Sequence, residues 1–310
     1  MDKNNHKQLL RHISLRQLQI FEAIARLGSF TRAAEELFLT QPTVSMQIKK
    51  LEQGIGLPLF EQIGKQTYLT GAGKMLHEHT RQILDALTNL EMEIADMQGL
   101  KTGILRLAVV TTVKYIAPRA LGKFCERYPG VDVALKVTNR ERLLERMAKN
   151  SDDLYIIGRP PVSDEFVFEP YLANPLVVLA SRKHPLAGQS NIEPEQLAES
   201  HFIMRETGSG TRMAIEDFFT QRGIKLKIRM ELGSNEAIKQ AIDAGLGISV
   251  LSRHTLALEG EGGRLTILDV KGFPIPWQWY VGHRRGKHLS VVARAFLDFL
   301  KNESDTIMRV

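Results

Sequence analysis

The chain has 310 residues, 41 Lys/Arg against 35 Asp/Glu, a formal net charge of +6 and one cysteine. That length suits about two domains with sizeable cores, and the lone Cys125 excludes an internal disulfide framework and fits a reducing compartment. The opening MDKNNHKQLLRH lacks an apolar core and no uncharged apolar run approaches the ~20 residues that span a bilayer, so a secretory signal and a membrane partner are excluded and a soluble, cytoplasmic protein is expected.

Residues 1–13 are polar and are expected to be mobile. Ser14 and Gln17 form a capping box that opens a helix through Leu27, with Leu18, Phe21, Ile24 and Ala25 for one buried face, and Gly28 ends it. Ser29 or Thr31 caps a second helix, about Arg32 to Phe38, whose Ala33 and Ala34 let another helix cross closely. After a turn at Leu39, Thr40 is a good N-cap and Pro42 sits in the first turn of a third helix starting near Gln41. Val44, Ile48 and Leu51 recur at helical spacing and face inward.

The opposite face of that helix carries Thr43, Ser45, Met46, Gln47, Lys49 and Lys50, with no carboxylate between Glu36 and Glu52. Amides and hydroxyls reach base edges and phosphates, and lysines neutralise the backbone, so this helix-turn-helix reads as a DNA-binding element. The alternative is an ordinary helical hairpin with a solvated outer face. Residues 1–77 hold 10 Lys/Arg against 6 Asp/Glu, so the basic excess gathers where the hairpin lies. EQIGKQTYLT then predicts a β-hairpin turning at Gly64-Lys65, a wing that lays Lys65 beside a phosphate or the minor groove.

From Thr70 a long helix is expected. Leu76, Thr80, Ile83, Leu87, Leu90, Ile94 and Met97 step by four and three alternately, a seam that suggests a dimeric coiled coil, and Gly99 and Gly103 make a hinge. The remainder alternates strand and helix. Ile104 to Val110 predicts a strand covered on both faces, a helix follows from about Lys114 to Tyr128, and Val131 to Val137 is a half-buried strand. Thr138 and Glu141 predict a capping box for a helix through Lys149, and Leu154 to Gly158 a third strand, hence a parallel sheet. A second α/β unit begins near Pro175, with strands near 176–180, 202–204, 228–232 and 248–251 and helices near 212–222 and 236–244. Trp277 to Val281 and a helix from Leu289 to Lys301 return to the first.

The loop RETGSGTR at 205–212 sets two glycines, three hydroxyls and two arginines between a strand and a helix N-terminus, which makes an anion site. Arg205 and Arg212 are expected to fork a phosphate or carboxylate; the alternative is a flexible turn with solvated arginines. A metal site or catalytic centre is not expected. The histidines are scattered, HEH at 77–79 reads as solvated side chains, Cys125 as core, and neither a GxSxG elbow nor a Walker loop is present.

The stretch LRQLQIFEAIARLGSFTRAAEELFLTQPTVSMQIKKLEQGIGLPLFE, with the wing and LTGAG, resembles the LysR-type transcriptional regulators over nearly the whole chain. LAVVTTVKYIAPRALGKFCERYPGVDVALKVTNRERLLERM and RETGSGTR are similar to the CbbR/CmpR branch, which regulates carbon fixation and inorganic carbon uptake. The resemblance implies an α+β multidomain chain. A winged helix-turn-helix would occupy 14–71, a linker and dimerisation helix 72–99, and a two-lobed effector domain of type II periplasmic-binding-protein fold 104–303. Lobe I would hold about 104–174 with 276–303, and lobe II about 175–275.

The implied DNA-binding residues are Thr31, Thr40, Gln41, Pro42, Thr43, Ser45, Gln47, Lys49 and Lys65. Gln41 and Gln47 are expected at base edges, Thr40, Thr43 and Ser45 at phosphates, and Lys49 and Lys65 as backbone anchors. The effector site would join Thr111, Thr112, Asn139, Arg140 and Arg159 to Arg205, Glu206, Thr207, Gly208, Ser209, Gly210, Thr211 and Arg212. The implied partners are promoter DNA bearing an interrupted palindrome, a second copy through the linker helix, a homotetramer, and RNA polymerase. No cofactor is expected, and the implied effector is a small anionic metabolite: ribulose bisphosphate, 2-phosphoglycolate, 2-oxoglutarate or NADPH. An enzyme or a solute-binding protein using the same cleft is the alternative.

Overall fold

The structure, a computed structural model, describes residues 13–64, 66–97, 102–257 and 263–308. The expected mobile segment up to residue 12, Lys65 and the hinge residue Gly99 lie outside the described residues. The chain divides into two compact units, Met1–Glu91 and Met92–Val310.

The first unit begins with α1 (Leu15–Leu27), capped reciprocally: the Gln17 N–H donates to Ser14 Oγ at 3.2 Å and the Ser14 N–H to Gln17 Oε1 at 2.9 Å. Gly28, at φ +62°, ends it. Helix α2 (Phe30–Glu36) starts earlier than the sequence suggests, because Ser29 rather than Thr31 accepts the capping bond, from the Arg32 N–H at 3.3 Å. Thr40 caps α3 (Gln41–Ile55), with Pro42 in its first turn. Ala33 and Ala34 pack with Val44, Ile48 and Leu51 against Ile20, Phe21 and Ile24. Strands β1 (Phe60–Ile63) and β2 (Gln66–Leu69) pair antiparallel as the wing.

Helix α4 (Gly71–Met97) opens where the Thr70 hydroxyl accepts the Gly73 N–H at 3.0 Å. Its Leu76 packs on the core of the unit and Thr80 is buried, whereas Ile83, Leu90 and Ile94 of the predicted seam are exposed. His77, read as solvated, instead sits edge-on to Phe21 with its pKa lowered, first by burial and then by Arg81.

The second unit holds two lobes. Lobe I is a five-stranded sheet in the order β4-β3-β5-β12-β6, from β3 (Thr102–Val110), β4 (Gly130–Thr138), β5 (Leu154–Ile157), β6 (Phe166–Ala173) and β12 (Gln278–Arg284). Strands β4 and β5 flank β3 in parallel, and β12 and β6 add antiparallel strands. Helices α5 (Ala117–Arg127), α6 (Arg140–Ala148) and α9 (Val291–Met308) accompany it. The expected single helix from Lys114 is a 3-10 turn, Val113–Tyr115, followed by α5 with Pro118 in its first turn. Cys125 is half-buried rather than core; Phe124 takes the inward position beside it.

Lobe II is built on β7 (Leu176–Ser181), which pairs antiparallel with β10 (Ser249–Ser252) and β11 (Leu265–Ile267). Strands β8 (His201–Arg205) and β9 (Lys227–Leu232) run parallel, with α7 (Gly210–Thr220) and α8 (Asn235–Asp243) following them in the chain. The two crossings between lobes are laced together. The Asn174 N–H donates to Trp277 O at 2.7 Å, and Leu176 and Ile275 exchange backbone bonds. Both lobes therefore present loops at strand C-terminal ends to one cleft.

Candidate functional sites

In the first unit a groove runs between α3 and the wing, lined by Thr31, Arg32, Gln41, Ser45, Lys49, Gln66 and Tyr68, among others. Positions 41, 45 and 49 share a stripe one turn apart that flanks the buried face of Val44, Ile48 and Leu51, and Ile48 itself reaches the groove floor. Gln41 Nε2 donates to Ser45 Oγ at 2.9 Å, and the Thr40 and Thr43 hydroxyls bond at 2.8 Å, so the helix start carries a pre-ordered polar surface. Thr40, Pro42, Thr43 and Gln47 are not among the residues lining this groove. Arg32 and the wing residues Gln62, Gln66 and Tyr68 do line it, and sequence reasoning missed them because a short hairpin shows no periodicity toward a partner.

In the second unit Thr111, Thr112, Asn139, Arg140, Ser209, Gly210 and Thr211 surround one interlobe cavity, with Trp277 at its side. Two helix N-termini open there. The α6 cap is Asn139, accepting from the Arg142 N–H at 3.0 Å, and not the predicted Thr138. Thr138 pairs with Val110 at the end of the β4–β3 ladder, so the chain enters the helix one residue later. At α7 the buried Ser209 is N-cap but its side chain makes no capping bond, leaving first-turn N–H groups for an acceptor. Burial, and then the nearby Arg159, lower the Arg140 pKa, and among the described residues Arg140 has no carboxylate partner; its Nε donates to Arg159 O at 3.1 Å. Its charge and the two helix dipoles favour an anion.

The expected arginine fork is corrected. Arg205 is fully buried, with Nε and Nη2 on the Glu206 carboxylate at 2.7 and 2.9 Å, Nη1 on Asn235 Oδ1 at 2.7 Å and Nη2 on Thr111 Oγ1 at 3.0 Å. It is a strut from lobe II to lobe I. Arg212 bonds Glu231, Glu216 at 2.7 Å and the Arg205 carbonyl at 3.1 Å, tying α7 to β9. Thr207 donates its N–H to Glu231 at 3.2 Å, which fixes the same loop. Arg159 pairs with Asp217 at 2.9 Å on the surface. Neither Arg212 nor Arg159 lines the cavity: Arg212 is held by Glu216 one turn along α7 and by Glu231 of β9, and Arg159 by Asp217.

Other bonds close the cleft. The Glu141 N–H donates to Gly208 O at 3.2 Å, and Gly208, at φ +82°, lies so close under the Glu141 side chain that a Cβ would collide with it. Glu236 takes Lys114 Nζ at 2.6 Å and the Tyr115 hydroxyl. Burial alone would raise the Glu236 carboxyl, but Lys114 and Tyr115 bring it down to about 2; burial, with Glu236, pushes the Tyr115 hydroxyl well above its ordinary value. Trp279 Nε1 donates to Thr112 Oγ1 at 3.2 Å and His254 stacks on Trp279 at 5.0 Å, so the cavity wall continues into the crossing.

A helix-turn-helix with a wing, joined to a two-lobed ligand-binding unit, defines a one-component regulator, and the chain belongs to the LysR family. Residues 15–74 match the bacterial regulatory helix-turn-helix protein, lysR family, and residues 98–305 the LysR substrate binding domain. The chain is 53% identical to the HTH-type transcriptional activator CmpR of Synechocystis sp. over 94% of its own length and 96% of that protein. It is 51% identical to the RuBisCO operon transcriptional regulator of Acidithiobacillus ferrooxidans over 94% of each. The solved regulatory domain of CcmR from Synechocystis PCC6803, in complex with 2-PG, shares 53% identity and a TM-score of 0.64, covering 67% of this chain and 99% of that domain. These relatives are named as regulators and not enzymes. Among the described residues no helix is long and apolar enough to cross a membrane, and no group of His, Cys, Asp and Glu is placed to hold a metal.

Proposed function

We propose that the chain binds promoter DNA through α3 and its wing and controls carbon-fixation or inorganic-carbon-uptake genes in response to a small phosphorylated acid held between the effector lobes. Gln41, Ser45 and Lys49 form the stripe that enters the major groove, with Thr31 and the wing on flanking phosphates. Thr40, Pro42, Thr43, Gln47 and Lys65 complete the reading face on the family pattern. The exposed Ile83, Leu90 and Ile94 support a homodimer through α4, and family regulators with this layout support a tetramer on an interrupted palindrome. RNA polymerase is the expected further partner.

The observation that carries the ligand reading is the cavity where Arg140, without a carboxylate of its own, meets the open N-terminus of α7. Among the four metabolites, 2-phosphoglycolate is favoured by the 2-PG held by the CcmR domain and by a cavity edged with hydroxyls and helix N–H groups. Ligand would bias the lobes, and α4, which leads from the first unit into the second, would carry that bias to recognition-helix spacing. Calorimetric titration of the full chain with each metabolite tests this. Binding of 2-phosphoglycolate that is lost in Arg140→Ala is expected; affinity unchanged in that variant contradicts the placement.

A further inference from the structure

One exposed apolar side chain stands in the middle of the polar reading helix. Met46 lies two residues from both Val44 and Ile48, the inward anchors of α3, so at about 100° per residue it points about 160° away from each and crests the helix. It is 48% exposed. Pro42, one turn earlier on the same ridge, is exposed as well, and Lys49 and Lys50, one turn later, are exposed cations. Gln41, Ser45 and Lys49 run down the flank that faces the wing, and Met46 is not among the residues lining the groove there. Single apolar side chains are common on protein surfaces. This one occupies the outermost point of a stretch that has no carboxylate between Glu36 and Glu52 and in which hydroxyls, amides and lysines otherwise face outward.

A helix that enters the major groove turns its outermost ridge to the base edges and its flanks toward the phosphate strands on either side. The base edges there offer hydrogen-bond donors and acceptors and a single apolar group, the C5-methyl of thymine. A methionine side chain has no N–H or O–H and only a weakly accepting sulfur, so that methyl is what it can recognise. Its unbranched, flexible chain and polarisable thioether adapt to such a contact, while Lys49 and Lys50 neutralise phosphates beside it. We infer that Met46, with Pro42 next to it, packs on a thymine methyl in each half-site, so that a T·A pair is read by apolar contact beside the pairs that meet Gln41 and Ser45. The inference rests on the placement of α3 in the major groove given under Proposed function, and it adds a specificity-determining residue that the polar stripe does not contain.

Replacing thymine by deoxyuridine removes that methyl and leaves every pairing and hydrogen-bonding group in place. Full-length protein is titrated by fluorescence anisotropy, at one salt concentration, against its own upstream DNA with each thymine replaced in turn by deoxyuridine, and against scrambled DNA. Wild type is compared with Met46→Ala and Met46→Gln, and melting curves verify that these substitutions at an exposed position leave the fold intact. Expected for wild type is one thymine in each half-site whose replacement weakens binding about fourfold, the effect of leaving one methyl group in water. Both variants should bind the thymine and deoxyuridine forms of that site equally. Wild type that prefers its own DNA yet is indifferent to every replacement overturns the inference and leaves the placement of α3 standing. A loss on deoxyuridine that persists undiminished in Met46→Ala also overturns it, since another side chain then reads the methyl. Wild type that binds its own and scrambled DNA alike overturns the inference and the placement together.

Discussion

Replacing Arg205 with Met removes a buried guanidinium that holds both lobes, and its cost separates a strut from a free ligand-binding finger. The substitution keeps most of the apolar stem but strips partners from Asn235, which is 1% exposed, and from Glu206 and Thr111. Each buried acceptor left unpaired costs about 1–3 kcal/mol. Glu206, whose side chain is 21% exposed, recovers part of its hydration. The sum falls at roughly 3–5 kcal/mol, the range for breaking a buried ion pair by removing one partner. In a unit of this size that lowers the melting temperature by roughly 6–20 °C. Arg212→Met is the control: its partners Glu216 and Glu231 are 48% and 45% exposed, so solvent screens both pairs and the shift should be much smaller. Both tryptophans of the chain, Trp277 and Trp279, lie in the effector unit, so their fluorescence follows its unfolding. Equal shifts for the two variants would refute the assignment of Arg205 as the strut.

Phe38, 96% exposed at φ 54° in the turn before α3, is a bulky residue in the left-handed region; Phe38→Asn should stabilise the turn by about 1 kcal/mol, read as slower amide exchange of α3, and unchanged exchange would show that the backbone there is unstrained. Burial lowers the pKa of His77, His184 and His254, so the neutral forms favour the fold: their contribution is complete above about pH 6.5 and is lost as pH falls through their lowered folded values. The Glu236 contribution persists further, draining only between about pH 4.5 and about 2. Denaturant titrations across pH should show those two steps in that order, and a stability independent of pH from 7 to 5 would contradict the histidine assignments. Ile83→Asp with Leu90→Asp, at positions 42% and 50% exposed, should halve the mass seen by sedimentation while α4 stays helical; an unchanged mass would remove the seam as the dimer contact.

Where local rules decide, the sequence was readable. Ser14 with Gln17 opened α1, Thr40 and Pro42 opened α3, and the apolar run of β3 announced a covered strand. Strand β6 went unread because Pro170 lies within it; the structure tolerates that proline because β6 is the edge of its sheet. The cavity loops were visible as Gly-rich and hydroxyl-rich stretches at strand ends, and the structure gathers Thr111, Thr112, Asn139, Arg140 and 209–211 around one space. The destinations of Arg205, Arg212 and Arg159 were not legible. Arg205 does pair with its neighbour Glu206, and Arg212 with Glu216 one turn along its helix, but their further partners Asn235 and Glu231, and the Asp217 partner of Arg159, lie 30, 19 and 58 residues away, where strand order and helix rotation decide the pairing.

The most direct test of the whole account is fluorescence anisotropy of the full-length protein on its own upstream DNA and on scrambled DNA, at one fixed salt concentration, with and without 2-phosphoglycolate. Fixed salt matters because phosphate contacts make affinity steeply salt-dependent. A DNA-binding regulator that senses a phosphorylated acid predicts a clear preference for the specific DNA and a shift of that binding by the metabolite. Equal binding to both DNAs, unmoved by the metabolite, would contradict it.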